Sequence, residues 1–158
     1  MEDLALVYKT LHIIAAIVLG GGFVLEAIAG PLVARATTVG EVRAYSRMMH
    51  ISESFLSPVA ALILVGFGYA TASRAHFEFS ETWLTLAQVL FYAIAGLAIV
   101  FLRPAAAKLY KLALAAPDGP VTPEIRDQIA SPLPKIIGPI TTVMVLVVIY
   151  LMVWKPGA

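Results

Sequence analysis

The chain has 158 residues, of which 60% are hydrophobic and 13% charged, against roughly 45–50% apolar and about 25% charged in soluble domains. That balance excludes an ordinary water-soluble domain, and the formal net charge of +1 offers no concentrated basic face for nucleic acid. The absence of cysteine excludes disulfides, thiolate metal sites and cysteine nucleophiles.

The first apolar run, Leu4 to Val33, is interrupted only by Lys9, His12 and Glu26 and closes near Gly30-Pro31. Glu2 and Asp3 stand where a signal peptide carries basic residues, so this run is expected to persist in the mature protein. Val39 to Ser54 reads as a polar amphipathic lead-in, with Val42, Tyr45, Met49 and Ser52 on one side. It feeds the second run, Phe55 to Ala72. The third, Trp83 to Leu102, has Ser80 as its expected cap. Beyond the loop at Pro117 to Pro120, Thr122-Pro123-Glu124 places an N-cap before a proline at the first helical position, which predicts a short helix over 123–129. The fourth run is Ile136 to Trp154, and the last three runs contain no charged residue.

Each run is long enough, at 1.5 Å per residue, to cross roughly 30 Å of hydrocarbon. Helix is the required state, because an open strand leaves its amides unpaired in lipid. The predicted fold is therefore all-α, a transmembrane four-helix bundle forming a single domain over 1–158 with spans 4–33, 55–72, 83–102 and 136–154. Gly66, Gly68, Gly96, Ala93 and Gly20-Gly21-Gly22 are the small residues available for close helix contact. A bundle this thin leaves much lipid-facing surface, so the expected partners are the bilayer and a second copy of the chain or a larger membrane complex.

Lys and Arg counts orient the bundle. The loops after spans one and three carry Arg35, Arg43, Arg47, Arg103, Lys108, Lys111, Arg126 and Lys135; the other side has Lys9, Arg74 and Lys155. The first side is expected to be cytoplasmic, with both termini outside and Tyr8, Trp83, Tyr150 and Trp154 forming an outer aromatic belt.

His12, about two turns into the first span, is the leading candidate for chemistry, since a polar group in hydrocarbon asks for a partner or a task. Tyr8, His12, Leu19, Phe23 and Glu26 fall on roughly one face. On one reading neutral His12 ligates a haem iron or metal between facing helices, and Gly20-Gly21-Gly22 admits a flat macrocycle. On the other it bonds to a neighbouring helix and the glycines serve packing.

Glu26 lies about 21 Å further along the helix by its rise and belongs with an inner polar cluster of His50, Glu53, Arg103, Arg47 and Lys135. Pairing with Arg103 or Arg47 is the expected structural role, and proton relay the alternative. Met48-Met49-His50 offers ligands suited to Cu(I). Adjacent methionines diverge by about 100° on a helix, however, so copper is the weaker expectation. His76 is a loop residue without a visible companion. Phosphate loops, zinc-protease signatures and nucleophile elbows are absent.

Two stretches carry a family likeness. Tyr8-Lys9-Thr10-Leu11-His12-Ile13-Ile14 with the glycine triplet, and Pro139 through Val147-Val148 to Trp154-Lys155-Pro156, resemble the opening and closing helices of a group of small bacterial membrane proteins. The group comprises the copper-resistance protein D family, the four-helix membrane protoporphyrinogen IX oxidases, and predicted integral membrane proteins of unknown function, the last being nearest. The resemblance implies a left-handed bundle in a bacterial inner membrane. For the oxidase branch it implies a b-type haem with the first-helix histidine, here His12, as the functional residue. That branch also has a lysine shortly after a Trp-Leu pair in the third span, whereas here Trp83-Leu84 leads to Ala87 and Gln88. Pro31-Leu32-Val33-Ala34-Arg35 departs from the oxidase pattern too, which argues against porphyrinogen oxidation and leaves haem or metal binding open. The expected function is thus cofactor binding at His12 in a redox role. Alternatives are a small proton- or ion-coupled transporter using Glu26, and an accessory subunit of a membrane complex.

Overall fold

The computed structural model describes residues 2–157. Its first helix, α1 (Glu2–Arg35), runs 34 residues, roughly 50 Å by helical rise. That exceeds the hydrocarbon thickness, so its ends emerge on both sides. Next come α2 (Val39–Ile51) and α3 (Ser57–Arg74), joined without a break by a π-helical turn at Ser52–Leu56. In the same way α4 (Thr82–Leu97) continues through a π-turn at Ala98–Leu102 into α5 (Arg103–Ala115). The short α6 (Pro123–Ala130) and the final span α7 (Pro132–Trp154) complete the chain.

Both π-turns have the same cause in the sequence. Each ends two residues before a proline, at Ser57-Pro58 and Arg103-Pro104, where the missing amide and the ring would otherwise break the α-helical ladder. The wider turn absorbs the defect: Ser57 N–H bonds to the Ser52 carbonyl and Arg103 N–H to that of Ala98, five residues back.

Four helices are long and apolar enough to cross a membrane, and each contains one expected span. Large apolar side chains cover their outer faces. Leu62 is 75% exposed and Trp154 71%, a surface that water would penalise and lipid does not. Within the bundle α1 packs along α3 and α4 along α7, while α2 meets α5 and the end of α1.

The Arg-rich end is a compact cap with its own core. Val33, Val39, Val42, Leu109, Ala113 and Ile125 are buried together, with Tyr45 and Met49 against them. A capping box starts α2: the Thr38 hydroxyl accepts from Glu41 N–H, and the Glu41 carboxylate accepts from the Thr37 and Thr38 amides at 2.7 and 3.0 Å. Thr37 and Gly119 carbonyls accept from Val121 and Val39 amides, tying the two loops together. Arg43 closes the end of α5 by donating to the Ala113 and Ala116 carbonyls at 3.1 and 3.0 Å and to Asp118 at 3.0 Å. Arg126 likewise donates to the Ala36 carbonyl beyond α1 at 2.8 Å.

The expected α6 is present with Thr122 as its cap. Two sequence expectations change. Ser80 does not cap α4; that position is Glu81, and Ser80 donates instead to Glu78. Trp83 does not join a lipid-facing belt, being 3% exposed with its ring edge-on to Phe77 and its indole N–H donated to Glu81. Tyr150 and Trp154 do stack at the exposed end of α7.

Candidate functional site

Because α1 pairs with α3 and α4 with α7, a cleft is left between the pairs. Its volume is about 870 Å³, within the range of roughly 300–1,000 Å³ usual for small-molecule sites. Lys9 and Lys155 line one end and Glu26, Glu53 and Arg103 the other. Apolar residues such as Ile13, Phe23, Val65, Phe91 and Val148 form the walls between.

His12 lines this cleft. Its Nδ1 lies 2.8 Å from the Leu64 carbonyl oxygen on α3. A carbonyl only accepts, so Nδ1 carries a proton, and in a neutral ring with that tautomer the lone pair lies on Nε2. No group among the described residues bonds Nε2. The close approach depends on Gly68, where a Cβ would stand 2.9 Å from His12 Cε1 and 3.0 Å from Nδ1. Sequence reasoning placed Gly68 only among the packing glycines.

The glycine triplet divides by direction. Gly20 lines the cleft, and Gly21 faces open space. Gly22 is pressed against α3 and the first π-turn, where a Cβ would lie 3.0 Å from Ser57 Oγ and 3.1 Å from Ser52 Oγ. Tyr8 sets its ring against Phe67, with centroids 5.9 Å apart, and is not part of the cleft wall.

Glu26 and Glu53 come together at the far end, as the sequence suggested, but Glu26 has a different partner. Its Oε1 accepts from Ser52 Oγ at 3.2 Å, and Ser57 Oγ lies 3.5 Å from that hydroxyl. The ion pair found among the described residues is Arg43 with Asp118, so neither Arg103 nor Arg47 pairs with Glu26. The reason is rotational: the π-turn brings Ser52 and Glu53 inward, while Arg47 stays exposed. Glu53, 8% exposed, adjoins the Glu26 carboxyl, with Arg103 at longer range. His50 leaves the cluster, stacking on Tyr110 at 5.1 Å and bonding Ser54 at 3.2 Å.

Sequence reasoning missed two parts of the site. Tyr69 on α3 donates to Gln88 Oε1 at 3.1 Å and lies 3.2 Å from the Tyr92 hydroxyl, so these groups bridge α3 to α4 across the cleft. At the mouth, Lys155 Nζ sits 4.3 Å from the Phe77 ring centroid and 5.6 Å from that of Trp83, a cation–π contact. Lys155 is held there by a left-handed C-cap (φ 42°) ending α7. Their signal in the sequence was polarity inside or beside an apolar run.

Among the described residues no three His, Asp or Glu side chains converge on a metal position. His12 therefore lacks companions for a bare ion. A tetrapyrrole asks less of the protein, since the macrocycle brings four nitrogens and needs one axial ligand from the chain.

The four apolar helices and the polar groups held between them define an integral membrane bundle with an internal cleft. The chain belongs to a family of predicted integral membrane proteins (DUF2269), whose pattern matches residues 6–156. No curated protein and no solved structure matches it.

Proposed function

We propose that the cleft binds a b-type haem through His12 and that the protein serves a redox or cofactor-handling role in a bacterial cytoplasmic membrane. The observation that carries this reading is the His12–Leu64 bond of 2.8 Å. A histidine that ligates iron typically donates its other ring N–H to a carbonyl or carboxylate, which fixes the tautomer and aims the free nitrogen. His12 meets that requirement on the wall of an apolar cleft of about 870 Å³. Lys9 and Lys155 line the same mouth and suit the acidic edge of such a group. The residues present thus fit the cofactor: His12 as ligand, Gly20 as a wall without side-chain bulk, and two lysines for its carboxylates. When bound, haem supplies one-electron chemistry, and the chain's share is to bind, orient and exclude water.

The resemblance of the first span to the oxidase branch supports the same role for His12. The Lys and Arg balance puts the capped Arg-rich end in the cytoplasm and the His12 end outside. The test is an absorbance spectrum of detergent-purified protein from haem-replete cells. A Soret band that His12→Ala weakens or abolishes is expected; colourless wild-type protein would overturn the proposal. A carboxy-terminal reporter active only in the cytoplasm would reverse the orientation.

A further inference from the structure

The far end of the cleft holds a second site that haem binding at His12 does not use. Glu26 from α1 and Glu53 from the π-turn adjoin one another on the cleft wall. Glu26 receives one bond, from Ser52 Oγ at 3.2 Å. Glu53 is more than nine-tenths buried, yet no amide or hydroxyl among the described residues donates to it. That carboxyl is set against a second carboxyl on the cleft wall, where a donor must come from the pair itself or from the cleft.

The surroundings limit what that donor can be. Alongside Glu26 and Glu53, Arg103 is the ionisable group lining this end, and it is not within ion-pair distance of either carboxyl. His50 is turned to Tyr110 and Ser54, and Arg47 is exposed. The nearest contributions of α3 are Ser57 and Pro58, and the cleft face of α7 is apolar until Lys155 at the opposite mouth. Two negative charges in contact, in a low-dielectric setting with one distant guanidinium, repel too strongly for both to persist. One proton held between them lets a carboxyl donate to its neighbour. It also leaves the pair at charge −1, balanced by Arg103.

We propose that Glu26 and Glu53 form a proton-binding pair at the Arg-rich end of the cleft, sharing one proton that exchanges with the water beyond Arg103. The proton enters as an O–H bond on one carboxyl and leaves to water by the same route. No electron or further reactant takes part. Ser52 is a positioning residue, fixing Glu26 beside Glu53 through its bond to Oε1.

Infrared spectroscopy on the full chain in lipid nanodiscs, purified without added haem, reads this pair directly and independently of the His12 proposal. A protonated-carboxyl C=O band is expected near neutral pH. It should shift in heavy water, lose intensity on alkaline titration by one carboxyl per chain, move in Glu26→Gln or Glu53→Gln, and vanish in the double variant. Absence of the band from wild-type protein across the accessible pH range overturns the proposal, as does its survival in the double variant. Its loss on adding sodium chloride at fixed pH, with potassium chloride as control, also overturns it and assigns the oxygens to a small cation. Should the glutamine variants fail to fold, Glu53→Asp keeps the carboxyl: a displaced band supports the assignment, and an unmoved one refutes it.

Discussion

Gly68→Ala tests whether the geometry around His12 is held by backbone contact. The new Cβ would lie 2.9 Å from His12 Cε1, and ordinary contact begins near 3.4 Å, so ring or helix must retreat by about half an ångström. The His12–Leu64 bond, now 2.8 Å, would lengthen correspondingly. Overpacking of this kind costs about 1–3 kcal/mol, and loss of the bond adds about 0.5–1.5 kcal/mol. Removing a helical glycine returns roughly 1 kcal/mol. Gly20→Ala is the matched control, because nothing lies within 4 Å of its added Cβ. The gain from removing glycine is common to both variants and cancels, so they should differ by about 1.5–4.5 kcal/mol in reversible unfolding in detergent, Gly68→Ala being the weaker. Isotope-labelled histidine NMR should show the His12 Nδ1 proton in wild type and Gly20→Ala, and a perturbed resonance in Gly68→Ala. Equal stabilities with an unchanged Nδ1 signal would refute the reasoning.

Other predictions concern the cap and the carboxyl pair. Thr38→Ala should cost about 1 kcal/mol by unfolding of the Arg-rich end, followed by hydrogen exchange at the start of α2. The Thr37 and then the Thr38 amide hold Glu41 below the usual carboxylate range. Its contribution is therefore fully present above the unfolded value of about 4.3 and disappears as pH falls through the lower folded value. Glu41→Gln should flatten that acid limb, and an unchanged limb would discount the capping box. Arg43→Lys should cost about 1–3 kcal/mol, because an ammonium cannot span the Ala113 and Ala116 carbonyls and Asp118 together; a silent substitution would show that α5 ends well without it. Ser52→Ala removes the hydroxyl that bonds Glu26 and should destabilise by about 1–3 kcal/mol in thermal unfolding, more than Ser54→Ala.

Much of the fold could be read before the structure because hydrocarbon imposes a length, and runs such as Ile136 to Trp154 meet it without a charge. The Thr122-Pro123 start of α6 was equally plain, since capping chemistry is local. The capping box at Thr38 and Glu41 was written just as locally and went unread. Trp83 misled because an indole beside a membrane surface reads as a lipid anchor, whereas its burial depends on Phe77 and Lys155 arriving from elsewhere. At the site, His12 was conspicuous as a polar group in an apolar run. Its partner was a backbone carbonyl, which no side-chain pattern can announce. Glu26 was assigned a guanidinium because charge suggests charge. Choosing Ser52 required knowing how far the helix is rotated after a proline-induced defect.

That defect has a mechanical meaning for the molecule. Each wide turn adds one residue to the winding, so side chains beyond it are offset by about 100° from the register before it. One uninterrupted rod can thereby show an apolar stripe to the watery cap and a different stripe to its neighbour in lipid. Deleting a single residue between Ser52 and Leu56 would bring the two halves back into phase. The chain would then have to choose between seating Val42 in the cap and presenting Glu53 to the cleft.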